Sequence, residues 1–440
     1  MSALEGQQWY IEEIPPVEDN DELGDVVCEP SVTAVESEPV DSAQKAVIAL
    51  DIGSAATLDT QQQSKVGKPA SVTSTGAVAH PPVGGIGDRS SRGETWVCKT
   101  IAASSSTQQP SPRGGCSWTK VGSKFVLFGG ADERQQHFSD IHCFYAAVGK
   151  WEKTPVGGAP PSPRNGHSAV ALGDSLVIYG GMNGQDGVTF NDLFELRPGS
   201  TEGMEWVSLP CVDIPPRNAH TAVLDGETMI VIAGASPEGQ TDDVFTIDLS
   251  DRSNLVCRRV FCKPFESGTG ERRCSEGGGG VPAAREMHST CAYNSEGTTG
   301  ERATTILLMG GRSAGGVLRD LNSVLDAKLF PLPVITLTDT WTWKRLKDAP
   351  VARCAHSACF VQAAGTMAIY GGWDGGTTVA DDLHLYDVGC GEWTKPKISP
   401  TPAGRFAHAA CAVGLEGEML VFGGVHPGED LDDVLLLSAA

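Results

Sequence analysis

Arginine and histidine recur together in this chain at a fixed interval. Arg164 and His167, Arg217 and His220, Arg285 and His288, Arg353 and His356, and Arg405 and His408 each stand three residues apart. Arg113 opens a sixth copy in which Cys116 replaces the histidine. Imidazole exchanges protons near neutral pH and ligates metals, and guanidinium grips carboxylates and phosphates with two prongs. A single pair of this kind would suit an active site, but a pair repeated along the chain is placed by the repeat. Equivalent histidines then stand too far apart to share one metal or one proton path. The expected role is internal: arginine offers five donors to strand-end carbonyls, and imidazole bridges a donor to an acceptor. Cys116 then marks a weakened first copy.

The remaining candidates for chemistry are scattered. Cys257, Cys262, Cys274 and His288 match no standard zinc spacing, and His288 already belongs to the repeat. The non-repeat histidines, His80, His137, His142, His384 and His426, form no close set for a redox metal. Gly84, Gly85 and Gly87 neither follow a strand nor open a helix, which argues against a phosphate loop. No Ser-His-Asp order or paired-carboxylate motif stands out. The chain is therefore expected to have no catalytic residue, no metal and no cofactor.

The elements that carry the Arg-His pairs have further landmarks. Each copy places an apolar run before a glycine pair: Gly129-Gly130, Gly180-Gly181, Gly310-Gly311, Gly371-Gly372 and Gly423-Gly424, with Ala233-Gly234 in the third. An acidic residue then precedes an aliphatic one, at Asp140, Asp192, Asp243, Asp320, Asp382 and Asp433. Trp151, Trp206, Trp343 and Trp393 close four of the copies. Runs such as LVIYGG have the length and unbroken apolarity of a strand buried on both faces. The glycines fit a sharp turn and a close approach to a neighbouring segment. Four short antiparallel strands per copy, returning about every 50 residues, describe the blades of a β-propeller. With its six copies starting near 113, 164, 217, 285, 353 and 405, the chain resembles the kelch-repeat family over residues 94 to 440. The resemblance implies an all-β, six-bladed propeller, most simply one that binds other proteins. Some kelch relatives are carbohydrate-directed enzymes, oxidases or mutarotases, and an enzyme of that kind is the rival reading.

The sixth copy ends at Ala440 without a closing Trp, whereas Trp96 stands unassigned ahead of Arg113. Strand 94–100 is therefore expected to complete the last blade and remove two free sheet edges. This divides the chain into a tail, 1–92, and a propeller, 93–440. The tail holds 15 acidic against 5 basic residues and no core pattern, so it is expected to be disordered. Within it, Trp9, Tyr10, Ile11 and Ile14 could dock on a partner. The stretch 262–284, rich in glycine, reads as a long flexible connection between the third and fourth copies.

The chain carries 33 basic and 55 acidic residues, a net charge of -22. Such a balance disfavours nucleic acid and anionic membranes and suits a protein partner with a basic surface. Thirteen cysteines without framework spacing, no Asn-x-Ser/Thr sequon and no signal peptide point to a cytoplasmic protein, and the propeller is expected to be monomeric. The connections between second and third strands gather on one face of the ring, where loops on a rigid scaffold usually carry recognition. The candidate partner-binding residues there are Asp132, Glu133, Arg134, Asp186, Glu238, Arg312, Trp373, Asp374 and Glu429.

Overall fold

The computed structural model describes residues 95–102, 108–199, 203–263, 281–296, 302–325, 340–413 and 417–440, together with the two-residue strand Ala56–Thr57. The expectations for the rest of the tail and for most of 262–284 lie outside these residues. Each of the six copies folds into four antiparallel strands, and the six blades form a propeller. Blade 1 comprises Ser117–Val121, Lys124–Phe128, Ile141–Tyr145 and Lys150–Glu152. Blade 2 comprises Asn165–Leu172, Ser175–Asn183, Leu193–Pro198 and Met204–Leu209. Blade 3 runs through Thr221–Asp225, Thr228–Ser236, Gly239–Asp248 and Leu255–Lys263. Blade 4 has Ser289–Glu296, Arg302–Met309, Leu321–Leu325 and Thr340–Arg345. Blade 5 has Ser357–Val361, Thr366–Tyr370, Leu383–Asp387 and Glu392–Thr394.

Blade 6 is assembled from both ends of this stretch. Ala409–Val413, Glu418–His426 and Glu429–Ala439 supply three strands. The fourth, Thr95–Thr100, pairs antiparallel with the third, with Trp96 opposite Ala439 and Thr100 opposite Leu435. Hydrogen bonds to strand 429–439 thus close the ring.

Both faces of every blade pack against neighbours, so the core is divided among the six seams. The second strands lie at the centre of this arrangement, and Leu176, Val177, Ile178 and Tyr179 are all fully buried. The closing tryptophans reach back into the seam with the preceding blade. Trp206 packs with Phe128 and Val126 of blade 1, and Trp343 packs with Ile230 and Val244 of blade 3. Trp96 does the same for blade 6, lying among Cys359, Ala368 and Tyr370 of blade 5. Burying an aromatic of this size from water stabilises the fold by several kcal/mol, roughly 4 to 6 at the upper bound.

Four blades protect their outer edge with a fifth, parallel strand. Val156–Gly158, Cys211–Val212, Phe261–Lys263 and Lys397–Ser399 pair with the outer strands of blades 2, 3, 4 and 6 respectively. Each comes from the connection that leads into that blade or, for blade 4, from the end of blade 3. The outer strands of blades 1 and 5 are only three residues long and carry charges, Lys150 and Glu152 in one and Glu392 in the other. Shortness and charge are the usual ways of blunting a free edge.

Candidate functional site

The repeated arginine is the hub of each blade end. Arg164 is fully buried, donates to the Gly180 carbonyl at 2.8 Å, and pairs with both carboxylate oxygens of Asp192 at 2.5 and 3.0 Å. Arg113 with Asp140, Arg285 with Asp320 and Arg405 with Asp433 repeat this two-pronged geometry. Arg353 reaches Asp382 at 3.1 Å and Arg217 reaches Asp243 at 2.9 Å. The carbonyl contact was expected from the sequence, but the aspartate counter-ion was not. Its signal is the acidic residue of the third-strand step, present in all six copies. Burial alone would raise the Asp140 carboxyl, but His142 and the Arg113 guanidinium outweigh it and hold the group well below the usual carboxylate range.

The glycine pair exists because two blades meet at it. A Cβ on the first glycine would lie 2.4 to 2.8 Å from the carbonyl oxygen of the next blade's arginine, at Gly180 against Arg217 and Gly423 against Arg113 for example. The second glycine donates its N–H to that same carbonyl, as Gly181 does to Arg217 at 2.8 Å and Gly424 to Arg113 at 3.0 Å.

The histidines bind blade to blade. His167 Nε2 lies 2.9 Å from Ser117 Oγ, His220 is 2.8 Å from Ser168, and His288 is 2.8 Å from Thr221. His356 meets Ser289 at 2.6 Å and His408 meets Ser357 at 2.8 Å. Burial pushes His167, His288 and His408 down to about 3, and drives His220 and His356 well below the ordinary value, so all five are neutral near pH 7. The hydroxyl partner is legible in retrospect as the Ser or Thr that follows the histidine or its replacement.

A closed circuit of backbone hydrogen bonds joins all six blades between these pairs. Gly166 donates to Gly115, Ala219 to Gly166, Met287 to Ala219, Ala355 to Met287, Ala407 to Ala355 and Gly115 to Ala407, at 2.8 to 3.2 Å. All six residues have positive φ, between 52° and 68°. Sequence reading missed this ring, because alanine and methionine give no sign of a conformation that L-residues disfavour.

The loops on this end of the ring are held by their own side chains. Asp132 accepts from the amides of Arg134 and Gln136 at 3.0 and 2.8 Å, and Asp374 from those of Gly376 and Thr378 at 2.8 and 3.1 Å. Asn183 donates to Asp186 at 2.7 Å and Ser236 to Glu238 at 2.8 Å. Glu133, Arg134 and Glu429 are exposed, and the Glu133 amide donates to Asp430. Burial, with repulsion from Glu133 and Asp132, raises the Asp430 carboxyl to about 6.

Two candidates turn out differently. Trp373 is 7 % exposed, donates its indole N–H to Gly376 at 2.8 Å, and packs with Met287, Cys354, Phe406 and Val425 in a cluster that includes Ala219, Ala355 and Ala407 of the backbone circuit. It is packed rather than an open contact. Arg312 is bound to the buried Glu286 through Nε and a terminal nitrogen at 3.0 and 2.5 Å. Asp132, Glu133, Arg134, Asp186, Glu238, Asp374 and Glu429 lie on accessible loops, whereas Trp373 is packed among apolar side chains.

A separate cleft of about 520 Å³ between blades 1 and 2 is lined by Asp140, Lys153, Thr154, Val156 and Trp206 among others. Its half-buried carboxylate, Asp140, is already held by Arg113 and His142. Among the described residues, no three His, Cys, Asp or Glu side chains are placed to hold a metal ion.

The same repeat is shared with known proteins. The chain matches the KLHDC2/KLHL20/DRC7 Kelch-repeats domain family over residues 94–258, 166–330 and 332–440. It belongs to the kelch-repeat family. An F-box/kelch-repeat protein of Arabidopsis thaliana is 28 % identical over 73 % of this chain and 68 % of its own length. A serine/threonine-protein phosphatase of the same plant, BSL2, is 28 % identical over 72 % of this chain but only 30 % of itself. A leucine-zipper-like transcriptional regulator 1 homolog of Drosophila melanogaster is 26 % identical over 68 % of this chain and 28 % of itself. The chain thus spans about two thirds of the first relative and under a third of the other two. No helix among the described residues is long and apolar enough to cross a membrane.

Proposed function

We propose that this kelch propeller is a non-enzymatic interaction module that binds a protein with a basic surface through its second-to-third-strand loops. One contrast carries the reading. The residues with catalytic potential, the repeated Arg, Asp and His, are engaged in buried or half-buried bonds within and between blades. The loop carboxylates are exposed, and several are fixed by their own turns. Carboxylates mounted rigidly on a scaffold lose little entropy on binding and steer a basic partner. The relatives favour the same reading. An F-box protein, a phosphatase and a transcriptional-regulator homolog share this stretch while their names describe unlike activities, as expected if the shared part serves recognition. The chain acts as a monomeric cytoplasmic propeller without nucleic acid or membrane partners. The reading is tested by changing Glu133, Glu238 and Glu429 together to Lys and comparing co-purifying proteins by mass spectrometry. The expected outcome is loss of the principal partner at an unchanged melting temperature. Retention of every partner would move the site to the opposite face or to the tail.

A further inference from the structure

Blade 3 is the one blade whose outer strand carries no tryptophan. In blades 1, 2, 4 and 5, Trp151, Trp206, Trp343 and Trp393 lie opposite Phe144, Leu196, Val324 and Tyr386, each four places after the repeated aspartate. Blade 3 sets Cys257 in that place, opposite Ile247. Blade 6 sets Cys98 there, opposite Leu437, with its tryptophan two residues earlier.

The fifth, parallel strands add a second position to this comparison. Each brings one residue opposite the one that stands two places before the closing position. That residue is Val156 against Met204 in blade 2, Cys211 against Leu255 in blade 3, Cys262 against Trp341 in blade 4 and Ile398 against Trp96 in blade 6. Residues two apart on a strand share a face, so this residue and the closing one are diagonal neighbours on one side of the sheet. Cys262 therefore has Trp343 as its neighbour, and Cys98 has Ile398. Only blade 3 has cysteine at both places.

Cys211 and Cys257 are half-buried free thiols that border the same apolar cluster. The Cys211 S–H donates to the Leu255 carbonyl at 3.9 Å, and its sulfur is within hydrogen-bond reach of the Cys257 N–H. Burial raises both thiols, Cys257 to about 12, and repulsion between the two sulfurs adds to the rise at Cys257. Diagonal neighbours on a sheet face stand about 7 to 8 Å apart at Cα, against a span of up to about 6.8 Å for a disulfide. Bridging them draws Cys211–Val212 inward by about 1 Å. That strand is two residues long and Val212 is 77 % exposed, so little resists the movement.

We propose that Cys211 and Cys257 are an oxidative modification site, joined by a disulfide that staples the edge strand Cys211–Val212 to the outer strand of blade 3. The oxidant is a low-molecular-weight disulfide such as oxidised glutathione. The Cys211 thiolate attacks one of its sulfurs, expelling a glutathione thiolate and leaving a mixed disulfide at Cys211. The Cys257 thiolate then attacks the Cys211 sulfur, which forms the protein disulfide and expels the second glutathione thiolate. The two protein thiols lose two protons and two electrons, and one oxidised glutathione becomes two reduced molecules. Because the bond encloses most of blade 3, it constrains the unfolded chain over a long loop.

The full chain is incubated with oxidised glutathione at about pH 8, where more thiol is ionised. Remaining thiols are then alkylated, and the disulfides are mapped by mass spectrometry without reduction. Cys211–Cys257 should be the principal link within the chain. The oxidised protein should melt roughly 5 °C above the reduced one, and dithiothreitol should reverse the gain. Cys211→Ala should remove the gain, and should that variant not fold, the map of the unaltered chain decides alone. Cys211 and Cys257 alkylated separately, each capped by glutathione, or paired with other cysteines would overturn the site. A mapped link that leaves the melting temperature unmoved would overturn the staple.

Discussion

The seam between blades 6 and 1 is built differently from the other five. At each of those five, a buried histidine reaches a serine or threonine on the preceding blade, and an apolar cluster surrounds the contact. At the sixth, Cys116 replaces the histidine and Ala409 occupies the place of the hydroxyl residue, so donor and acceptor are lost together. Removing both partners of a buried hydrogen bond is far less costly than removing one. The space is filled by aromatics: Phe422 stacks on Trp118 at 5.2 Å with an interplanar angle of 2°, and Trp151 meets it edge-on at 5.3 Å. The backbone circuit crosses this seam as it crosses the others. Cys116 therefore marks a different solution rather than a weakened blade. A polar link specifies orientation, whereas an aromatic stack supplies area.

Acid should break the comparison most strongly, because it acts on five seams and not on the sixth. The folded-state pKa values of the five histidines lie below the unfolded value near 6.5, so below that pH the unfolded chain binds more protons. Stability is fully present above about 6.5 and is lost progressively as pH falls toward 3, by up to roughly 1.4 kcal/mol per pH unit for each histidine. Urea melts between pH 7.5 and pH 5 should show a steep decline. A flat profile would mean that these histidines are not buried neutral.

Trp96→Ala attacks the blade that closes the ring and should cost roughly 3 to 5 kcal/mol. Thermal melting checks it, and a shift of only a degree or two would show that the ring is held by something else. A smaller effect is expected from giving the seam between blades 4 and 5 the polar-free composition of the sixth. His356→Cys alone strands Ser289 and should cost about 1 to 3 kcal/mol, and adding Ser289→Ala should recover about 1 kcal/mol of it. Strict additivity in that double-mutant cycle would deny the His-Ser bond an energetic role.

These features were unequally legible in the sequence. Blade number, the glycine pairs and the closing role of Trp96 could be read because each is a departure from, or a return of, a spaced landmark. The Asp partners of the arginines and the Ser or Thr partners of the histidines recur as faithfully, but pairing across 26 to 67 positions is a matter of three-dimensional register. Trp373 illustrates the limit for the site. A large aromatic in a glycine-rich turn reads equally as an exposed anchor or as a packed side chain, and only its packing on Met287 and Phe406 decides. The loop acids lie on turns whose tips are in water, as where Asp374 accepts from the Gly376 and Thr378 amides.

Ring closure by a strand remote in sequence is the central structural claim, and adding that strand back tests it most directly. Two shortened chains are compared, one beginning at Gly93 and one at Ile101, by sedimentation and thermal melting, with and without a synthetic peptide spanning 93–102. The chain from Gly93 should be monomeric and melt as the full chain does. The chain from Ile101 should self-associate through the exposed edge of strand 429–439 and return to a monomer with restored melting when the peptide is supplied. A chain from Ile101 that stays monomeric and melts normally without the peptide would contradict the account.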